Sequence, residues 1–204
     1  MKFSIISGSH RVNSQSEKVA RYVQRTLEEE KLCEDTWLFT LARNPLPLWD
    51  EGIWESDPAW QERLQPLSEQ LAASDALVVV SPEWHGQVPA GLKNFFLMWS
   101  RRELAHKPAL IVTVSSGDGG AYPVAELRMS SYKNNRICYI PEQVIVRNVE
   151  SVLNEREADN NPAADQYFRA RFAYALGILK EYAVALKQVR ASGATDTSVF
   201  KNGM

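Results

Sequence analysis

The chain has few of the residues that build metal centres and disulfide frameworks. It contains two cysteines and three histidines in 204 residues. Cys33 and Cys138 lie far apart and match neither a CxxC motif nor a zinc-ligand spacing. We therefore interpret both cysteines as ordinary small apolar residues of a reducing compartment, and we expect no metal site.

Strong net charge and long apolar runs are also missing. The formal net charge is −2, which argues against a nucleic-acid-binding surface and against a strongly acidic electron carrier. No apolar run reaches the length of a membrane-spanning helix, so we expect no membrane partner, and the first residues become polar too early for a secretory signal. These features favour a cytoplasmic protein.

What the chain does have is a regular alternation of strand-like and helix-like segments. Such alternation predicts an α/β fold with parallel strands and right-handed crossovers, and five strands fit the doubly wound order 2-1-3-4-5 with helices on both faces. We expect a single domain over residues 1–190, followed by a flexible tail over 191–204. The predicted strands are 2–6, 35–39, 75–80, 108–115 and 137–146; the predicted helices are 14–30, one beginning at Pro58, 90–101, 121–132 and 165–190.

Two segments have more than one interpretation, and two others have unusual features. Pro141 interrupts the fifth strand, which indicates either an edge strand or a β-bulge. The apolar stripe of the last helix fits a helix packed on the sheet or a coiled-coil seam. Pro66 should kink the second helix, and the long Trp- and Pro-containing loop over 41–56 is typical of functional loops.

The first strand ends in a polar turn, 7–16, that has the composition of an anion site. Ser9, Ser14 and Ser16 offer hydroxyl donors, and Arg11 offers a planar fork for phosphate oxygens. The turn leads into a helix, whose N-terminus favours an anion. The alternative is simple N-capping by Ser14 with Arg11 in solvent. The sequence of the turn is not that of a Walker A loop or a GxGxxG motif.

Two further turns follow the third and fourth strands. The residues after the third strand would expose backbone N–H and C=O groups that can hydrogen-bond to the edge of a flat heterocycle such as a flavin. Trp84 and His85 could flank this ring, although Trp84 also fits core or interface packing and His85 a solvated turn. Small residues in the next turn could close the far side. The candidate ring-binding residues are Pro82, Glu83, Trp84, His85 and Gly86 after the third strand, and Ser116 and Gly117 after the fourth strand.

Two stretches of this sequence resemble motifs of the NADPH-dependent FMN reductase family, whose members include quinone, azo-dye and chromate reductases. Gly8-Ser9-His10-Arg11-Val12-Asn13-Ser14 is similar to the family pattern Gly-Ser-x-Arg-x-x-Ser. Pro82-Glu83-Trp84-His85 and the following residues up to Leu92-Lys93-Asn94 are similar to Pro-Glu-Tyr-Asn-x-x-x-Pro-x-x-Leu-Lys-Asn. The resemblance covers residues 1–150 and implies a flavodoxin-like fold.

The resemblance also implies a cofactor and an activity. FMN would be held by its phosphate at Ser9, Arg11, Ser14 and Ser16, with its ring along 82–86 and near Ser116 and Gly117. NADPH or NADH would reduce it, and a small quinone-, flavin- or azo-like acceptor would take two electrons. The flavin does the chemistry in such enzymes, so no side chain is predicted as acid, base or nucleophile.

This sequence departs from the family pattern beside the ring, where Trp84 replaces Tyr and His85 replaces Asn. A bulkier indole could narrow the acceptor pocket. This departure keeps open a non-catalytic flavin-binding sensor. A flavodoxin-type electron carrier is a separate alternative, although such carriers are usually strongly acidic and this chain is nearly neutral.

The third helix carries apolar side chains most of the way round. Leu92, Phe95, Phe96 and Trp99 form one stripe, and Leu97 and Met98 add apolar bulk on other sides. A helix of this kind is usually buried on more than one side, which predicts a homodimer or a dimer of dimers through the segment Leu92–Trp99. Deep burial within one chain is the alternative.

Overall fold

The computed structural model describes residues 1–203, and five parallel strands form its central sheet. Their order is β2-β1-β3-β4-β5, as the sequence predicts for a flavodoxin-like doubly wound fold. The strands are β1 (Lys2–Ser7), β2 (Asp35–Thr40), β3 (Ala76–Pro82), β4 (Pro108–Val114) and β5 (Cys138–Val146). The helices are α1 (Gln15–Glu29), α2 (Pro58–Ala73), α3 (Ala90–Leu97), α4 (Arg101–Leu104), α5 (Ala121–Met129) and α6 (Pro162–Ala191).

Each face of the sheet has its own apolar core. Every residue of β3 and β4 is buried, because these central strands are covered by helices on both sides. Side chains of α1 and α6 form one core with the sheet. Side chains of α2, α3 and α5 form the other. The predicted helices on both faces are thus confirmed.

The third helix is shorter than the sequence predicts. It ends at Leu97 instead of residue 101, and α4 begins after Ser100. The cause is a capping interaction: the Glu103 carboxylate accepts hydrogen bonds from the backbone N–H and the hydroxyl of Ser100, at 3.1 and 3.0 Å. This Ser-x-x-Glu pattern starts a new helix, so the prediction of one helix over 90–101 is wrong.

The apolar stripe of α3 lies inside its own chain. Leu92 and Phe95 are fully buried, and Phe96, Met98 and Trp99 are almost so. Deep burial within one chain therefore accounts for the stripe. Leu97 is the exception, since it is 62% exposed.

The last strand and the last helix both lie at the periphery of the fold. β5 is an edge strand and also has a bulge, since its register with β4 shifts between Ala109 and Ile111, opposite the segment that contains Pro141. The α6 helix packs on the sheet through side chains such as Phe172 and Leu179. It begins at Pro162, earlier than predicted, because the Asn161 side chain caps it and Pro occupies its first turn.

Pro66 lies within α2, and the helix continues through it from Pro58 to Ala73. The segment after α6 lies against the loop that precedes β5. Arg136 of this loop donates a hydrogen bond of 2.8 Å to the Phe200 carbonyl, and Arg101 of α4 donates one of 2.6 Å to the Thr197 hydroxyl. Within the described residues, no helix is long and apolar enough to cross a membrane.

Candidate active site

Three turns lie side by side at the carboxyl edge of the sheet, because they follow the adjacent strands β1, β3 and β4. Backbone hydrogen bonds between neighbouring strand ends fix where the turns begin. The N–H of Gly8 donates to the Val80 carbonyl at 2.8 Å, and the N–H of Glu83 donates to the Val114 carbonyl at 3.0 Å. We call them the first turn (8–16, which includes the first two residues of α1), the second turn (83–89) and the third turn (115–120). Ligands of open α/β sheets bind at this kind of edge.

The first turn combines buried hydroxyls with a free guanidinium. Ser9 and Ser16 are buried, and the Ser9 hydroxyl accepts from the N–H of Arg11 at 3.2 Å. The Ser14 hydroxyl caps α1 by accepting from the N–H of Glu17 at 3.1 Å. The Arg11 side chain is exposed and makes no hydrogen bond or ion pair with residues 1–203. The structure thus has both the Ser14 cap and a solvated Arg11. The Ser9 and Ser14 hydroxyls act as acceptors in these hydrogen bonds, so each still has a proton to donate to a ligand.

The second turn is a tight reversal of the chain. Trp84 and Gln87 exchange two backbone hydrogen bonds, of 3.1 and 2.9 Å. His85 and Gly86 between them have φ of 50° and 72°, as both central residues of a type I′ turn require. The N–H groups of Glu83 and Trp84 are used inside the protein, whereas those of His85 and Gly86 have no acceptor among residues 1–203. Donors for a ligand are therefore available at the tip of the turn.

A side chain links the second turn to the third. The Glu83 carboxylate accepts a hydrogen bond of 2.5 Å from the N–H of Gly120. Gly120 has a φ of 98°, and a Cβ there would lie 2.6 Å from Ile145. Ser116 and Gly117 are exposed, and a Cβ on Gly117 would have no atom within 4 Å, so open space lies above them.

Two arginines keep the carboxyl group of Glu17, which lies in α1 next to the first turn, ionised. Burial alone would raise the pKa of Glu17, but hydrogen bonds from Arg21 and Arg43 outweigh it and lower the pKa. Their nitrogens lie 2.7 and 3.3 Å from the Glu17 carboxylate. Glu17 is therefore an ionised structural group and does not serve as a proton donor. Among the described residues, no cluster of three or more His, Cys, Asp and Glu side chains could hold a metal ion.

The second half of the longer motif, which spans residues 82–94, makes contacts that stabilise the fold. The Asn94 amide accepts from the N–H of Trp49 at 2.8 Å and donates to the Pro47 carbonyl at 2.7 Å. Lys93 forms an ion pair with Glu126, which also accepts from the N–H of Val88 at 2.7 Å. These contacts hold the long loop and the end of the second turn against α3.

Two residues beside the turns are absent from the set predicted from the sequence. The His10 ring lies 5.8 Å from the Trp84 ring, and its Nε2 accepts from the N–H of Gly91 at 3.2 Å. Tyr122 at the start of α5 is 70% exposed, and its ring would lie 3.7 Å from a Cβ on Gly86. His10 occupies a variable position of the motif and Tyr122 lies outside both motifs, so neither carried a sequence signal.

A profile of the NADPH-dependent FMN reductase family matches residues 1–151, which is most of the chain. The chain belongs to this family. It is therefore an oxidoreductase that uses FMN and a reduced nicotinamide dinucleotide.

Relatives with similar sequences carry corresponding names. An NADPH azoreductase from Bacillus sp. (strain OY1-2) is 26% identical over 181 residues, 89% of this chain and 96% of the relative. An FMN-dependent NADPH-azoreductase from Staphylococcus aureus is 28% identical over 156 residues, 76% of this chain and 81% of the relative.

Solved structures show the same fold. A flavoenzyme NAD(P)H:(acceptor) oxidoreductase from Paracoccus denitrificans superposes with a TM-score of 0.67 at 20% identity, covering 92% of this chain and 97% of the other. An NAD(P)H:quinone oxidoreductase from Methanothermobacter marburgensis superposes with a TM-score of 0.61 at 16% identity, covering 88% and 97%.

The residues of this chain fit the cofactor of the family. The free N–H groups of His85 and Gly86, the unpaired guanidinium of Arg11 and the open space at Gly117 all belong to turns that follow adjacent strands at the carboxyl edge of the sheet. Hydrogen-bond donors and a positive charge are the groups that an anionic phosphate and the polar edge of a flat ring require.

Proposed function

We propose that this family member passes two electrons from NADPH or NADH, through FMN, to a small quinone-, flavin- or azo-like acceptor. The juxtaposition of the three turns, with unpaired donors in the first and second, is the observation on which the proposal depends. The names of the relatives, which include azoreductases and a quinone oxidoreductase, support this class of acceptor.

In this proposal the first turn holds the FMN phosphate. Arg11 supplies two N–H donors of a guanidinium that no residue of the described chain neutralises, and the Ser9, Ser14 and Ser16 hydroxyls lie beside it in the turn. The N-terminus of α1 adds partial positive charge.

The second and third turns hold the ring. The N–H groups of His85 and Gly86 donate to its polar edge, while Pro82, Glu83 and Trp84 lie along it. Ser116 and Gly117 lie near the opposite edge, where the absence of a Cβ on Gly117 leaves room for close approach. The carboxylate of Glu83 keeps the distance between these two turns fixed through Gly120.

The protein orients and shields the reactants in this proposal. When bound, FMN supplies the two-electron chemistry, taking electrons from a reduced nicotinamide and passing them to the acceptor. Trp84 of the second turn is half-buried, and in this proposal it limits the width of the space that a nicotinamide or an acceptor can occupy. Tyr122 flanks the same space from α5.

Anaerobic spectroscopy of the FMN-loaded protein tests the proposal. NADPH or NADH should bleach the visible flavin absorbance, and a soluble quinone or an azo dye should restore it over repeated cycles. Bleaching without any reoxidation by these acceptors would contradict the proposed acceptor class. FMN binding without bleaching by either nicotinamide would instead favour the sensor.

We also propose a homodimer or a dimer of dimers through the exposed part of the segment Leu92–Trp99, where Leu97 at the end of α3 is left uncovered by its own chain. Leu97 and Trp54 are 62% and 77% exposed, and both line an open groove of about 960 Å³ beside α3 and α5. A second copy of the chain would cover these side chains. Light scattering should give at least twice the 23.1 kDa chain mass, and Leu97→Asp should reduce it, whereas Leu48→Asp on the exposed loop should not.

A cytoplasmic location and a single domain over 1–190 with a flexible tail complete the proposal. Reduced, half-buried Cys33 and Cys138, whose thiol pKa values are raised by burial, are compatible with that compartment. Fast amide hydrogen exchange confined to residues after 191 would support the flexible tail. Slow exchange there would mean instead that the contacts with Arg101 and Arg136 persist.

A further inference from the structure

The α3 helix begins without a cap of its own. Pro89 occupies the N-cap position and gives no side-chain hydrogen bond to the first turn of the helix. The N–H groups of Leu92 and Lys93 donate to the Pro89 carbonyl at 3.0 and 3.1 Å. The N–H of Gly91 is left without a local acceptor, as the first N–H groups of a helix usually are.

His10 of the first turn supplies that acceptor from 81 residues away in the sequence. The His10 Nε2 accepts a hydrogen bond from the N–H of Gly91, with 3.2 Å between the two nitrogens. A Cβ on Gly91 would lie 2.0 Å from Cε1 of His10. Glycine at position 91 is therefore what allows the imidazole to reach the helix.

The same imidazole also contacts the second turn. Its ring centroid lies 5.8 Å from that of Trp84, with 36° between the planes. Gly8 in the first turn also lies close to α3, since a Cβ on Gly8 would lie 2.5 Å from the Leu92 side chain. The first turn is thus packed against both the start of α3 and the aromatic side chain of the second turn.

We propose that His10 is a positioning residue that couples occupancy of the first turn to ring binding at the second turn. An anion held in the first turn fixes the backbone on both sides of His10. The ordered imidazole then holds the start of α3 and Trp84 in the arrangement that receives the ring. This inference rests on the proposed placement of the FMN phosphate and ring.

Riboflavin and inorganic phosphate separate the two halves of the cofactor and measure this coupling. Riboflavin affinity is titrated by fluorescence quenching, with and without saturating phosphate. In the wild-type protein, phosphate should tighten riboflavin binding by about fivefold or more, within the usual range of coupling between sites. The His10→Ala variant should lose this effect, and His10→Gln, which retains an acceptor, should recover part of it.

Two further variants control for a general structural effect. Gly91→Ala should abolish the coupling by displacing the imidazole, although alanine is the better helix former. Val12→Ala, a change at an exposed side chain in the same turn, should leave the coupling intact. Independently of any ligand, the Gly91 amide should exchange with solvent faster in His10→Ala than in the wild-type protein.

The outcomes distinguish this inference from the proposed function. If FMN binds but phosphate has no effect on riboflavin, or if His10→Ala keeps the full effect, His10 is not a coupling residue. A wild-type protein that binds neither FMN nor riboflavin would overturn the proposed function, and the inference with it.

Discussion

The two edges of the sheet differ in how their polar groups are satisfied. At the amino edge, the Lys107 ammonium donates to the carbonyls of Leu71 and Ala72 at 2.6 and 2.8 Å, which caps the end of α2. Asp75 accepts from Arg190 and from the N–H of Lys2. At the carboxyl edge, Arg11 and the N–H groups of His85 and Gly86 have no partner among the described residues.

This contrast separates groups that stabilise the fold from groups that can bind a ligand. A buried polar group without a partner costs about 1–3 kcal/mol, so the amino edge pairs its groups within the chain. At the carboxyl edge, Arg11 and His85 are exposed and Gly86 is partly exposed, so their unpaired donors can exchange water for a ligand. Changes at the amino edge should therefore alter stability, and changes at the carboxyl edge should alter FMN affinity.

The largest expected effect is at Gly120, a position where the carboxyl edge is also structural. Gly120→Ala combines a φ of 98° with a Cβ that would lie 2.6 Å from Ile145. It should lower the free energy of unfolding by about 3 kcal/mol. Gly117→Ala in the same turn meets no atom within 4 Å and should leave stability nearly unchanged in urea titrations. Equal stability of the two variants would contradict this account of the third turn.

Arg11→Ala should show the opposite behaviour. The loss of a charge-assisted hydrogen bond to phosphate should weaken FMN binding by about 2 kcal/mol, while unfolding stays unchanged because Arg11 has no partner in the described chain. Equilibrium titration of FMN fluorescence measures the affinity. Arg63→Ala, at an exposed arginine of α2, is the matched control and should bind like the wild-type protein. An unchanged affinity in Arg11→Ala would show that the first turn does not hold the phosphate.

A substitution at Asn94 tests whether the second half of the longer motif stabilises the fold. Asn94→Ala removes the bonds to Trp49 and Pro47 and should destabilise the protein by about 1–2 kcal/mol. Limited proteolysis should cut within 41–56 faster than in the wild-type protein. Asn202→Ala, at an exposed asparagine near the chain end, should change neither measurement. A resistant loop in Asn94→Ala would mean that different contacts hold it.

The smallest expected effect concerns Lys107 and pH. Burial lowers the pKa of Lys107 from 10.5 to about 8. At pH values between these two pKa values, Lys107 is more often protonated in the unfolded chain than in the folded protein. The contribution of Lys107 to the free energy of unfolding therefore rises with pH. From pH 7.5 to 9 the gain should be about 1 kcal/mol relative to Lys107→Met. Urea titrations of both proteins at the two pH values measure it, and parallel pH profiles would contradict the assignment.

The sequence predicted the fold and the neighbourhood of the three turns, because strand periodicity and turn residues are local signals. The Ser100–Glu103 capping interaction is also a local signal, and the predicted helix over 90–101 does not take it into account. Further features depend on distant partners: His10 meets Gly91, and Glu83 meets Gly120, only after the sheet has formed. Which N–H groups of the second turn stay free depends on the pairing of Trp84 with Gln87, which the motif alone does not reveal.

The crystal structure of the protein soaked with FMN tests the central claim most directly. The account predicts the phosphate within hydrogen-bond distance of Arg11 and of the serine hydroxyls of the first turn, with the ring against residues 82–86. Phosphate bound elsewhere, or a ring that leaves the N–H groups of His85 and Gly86 in solvent, would contradict it.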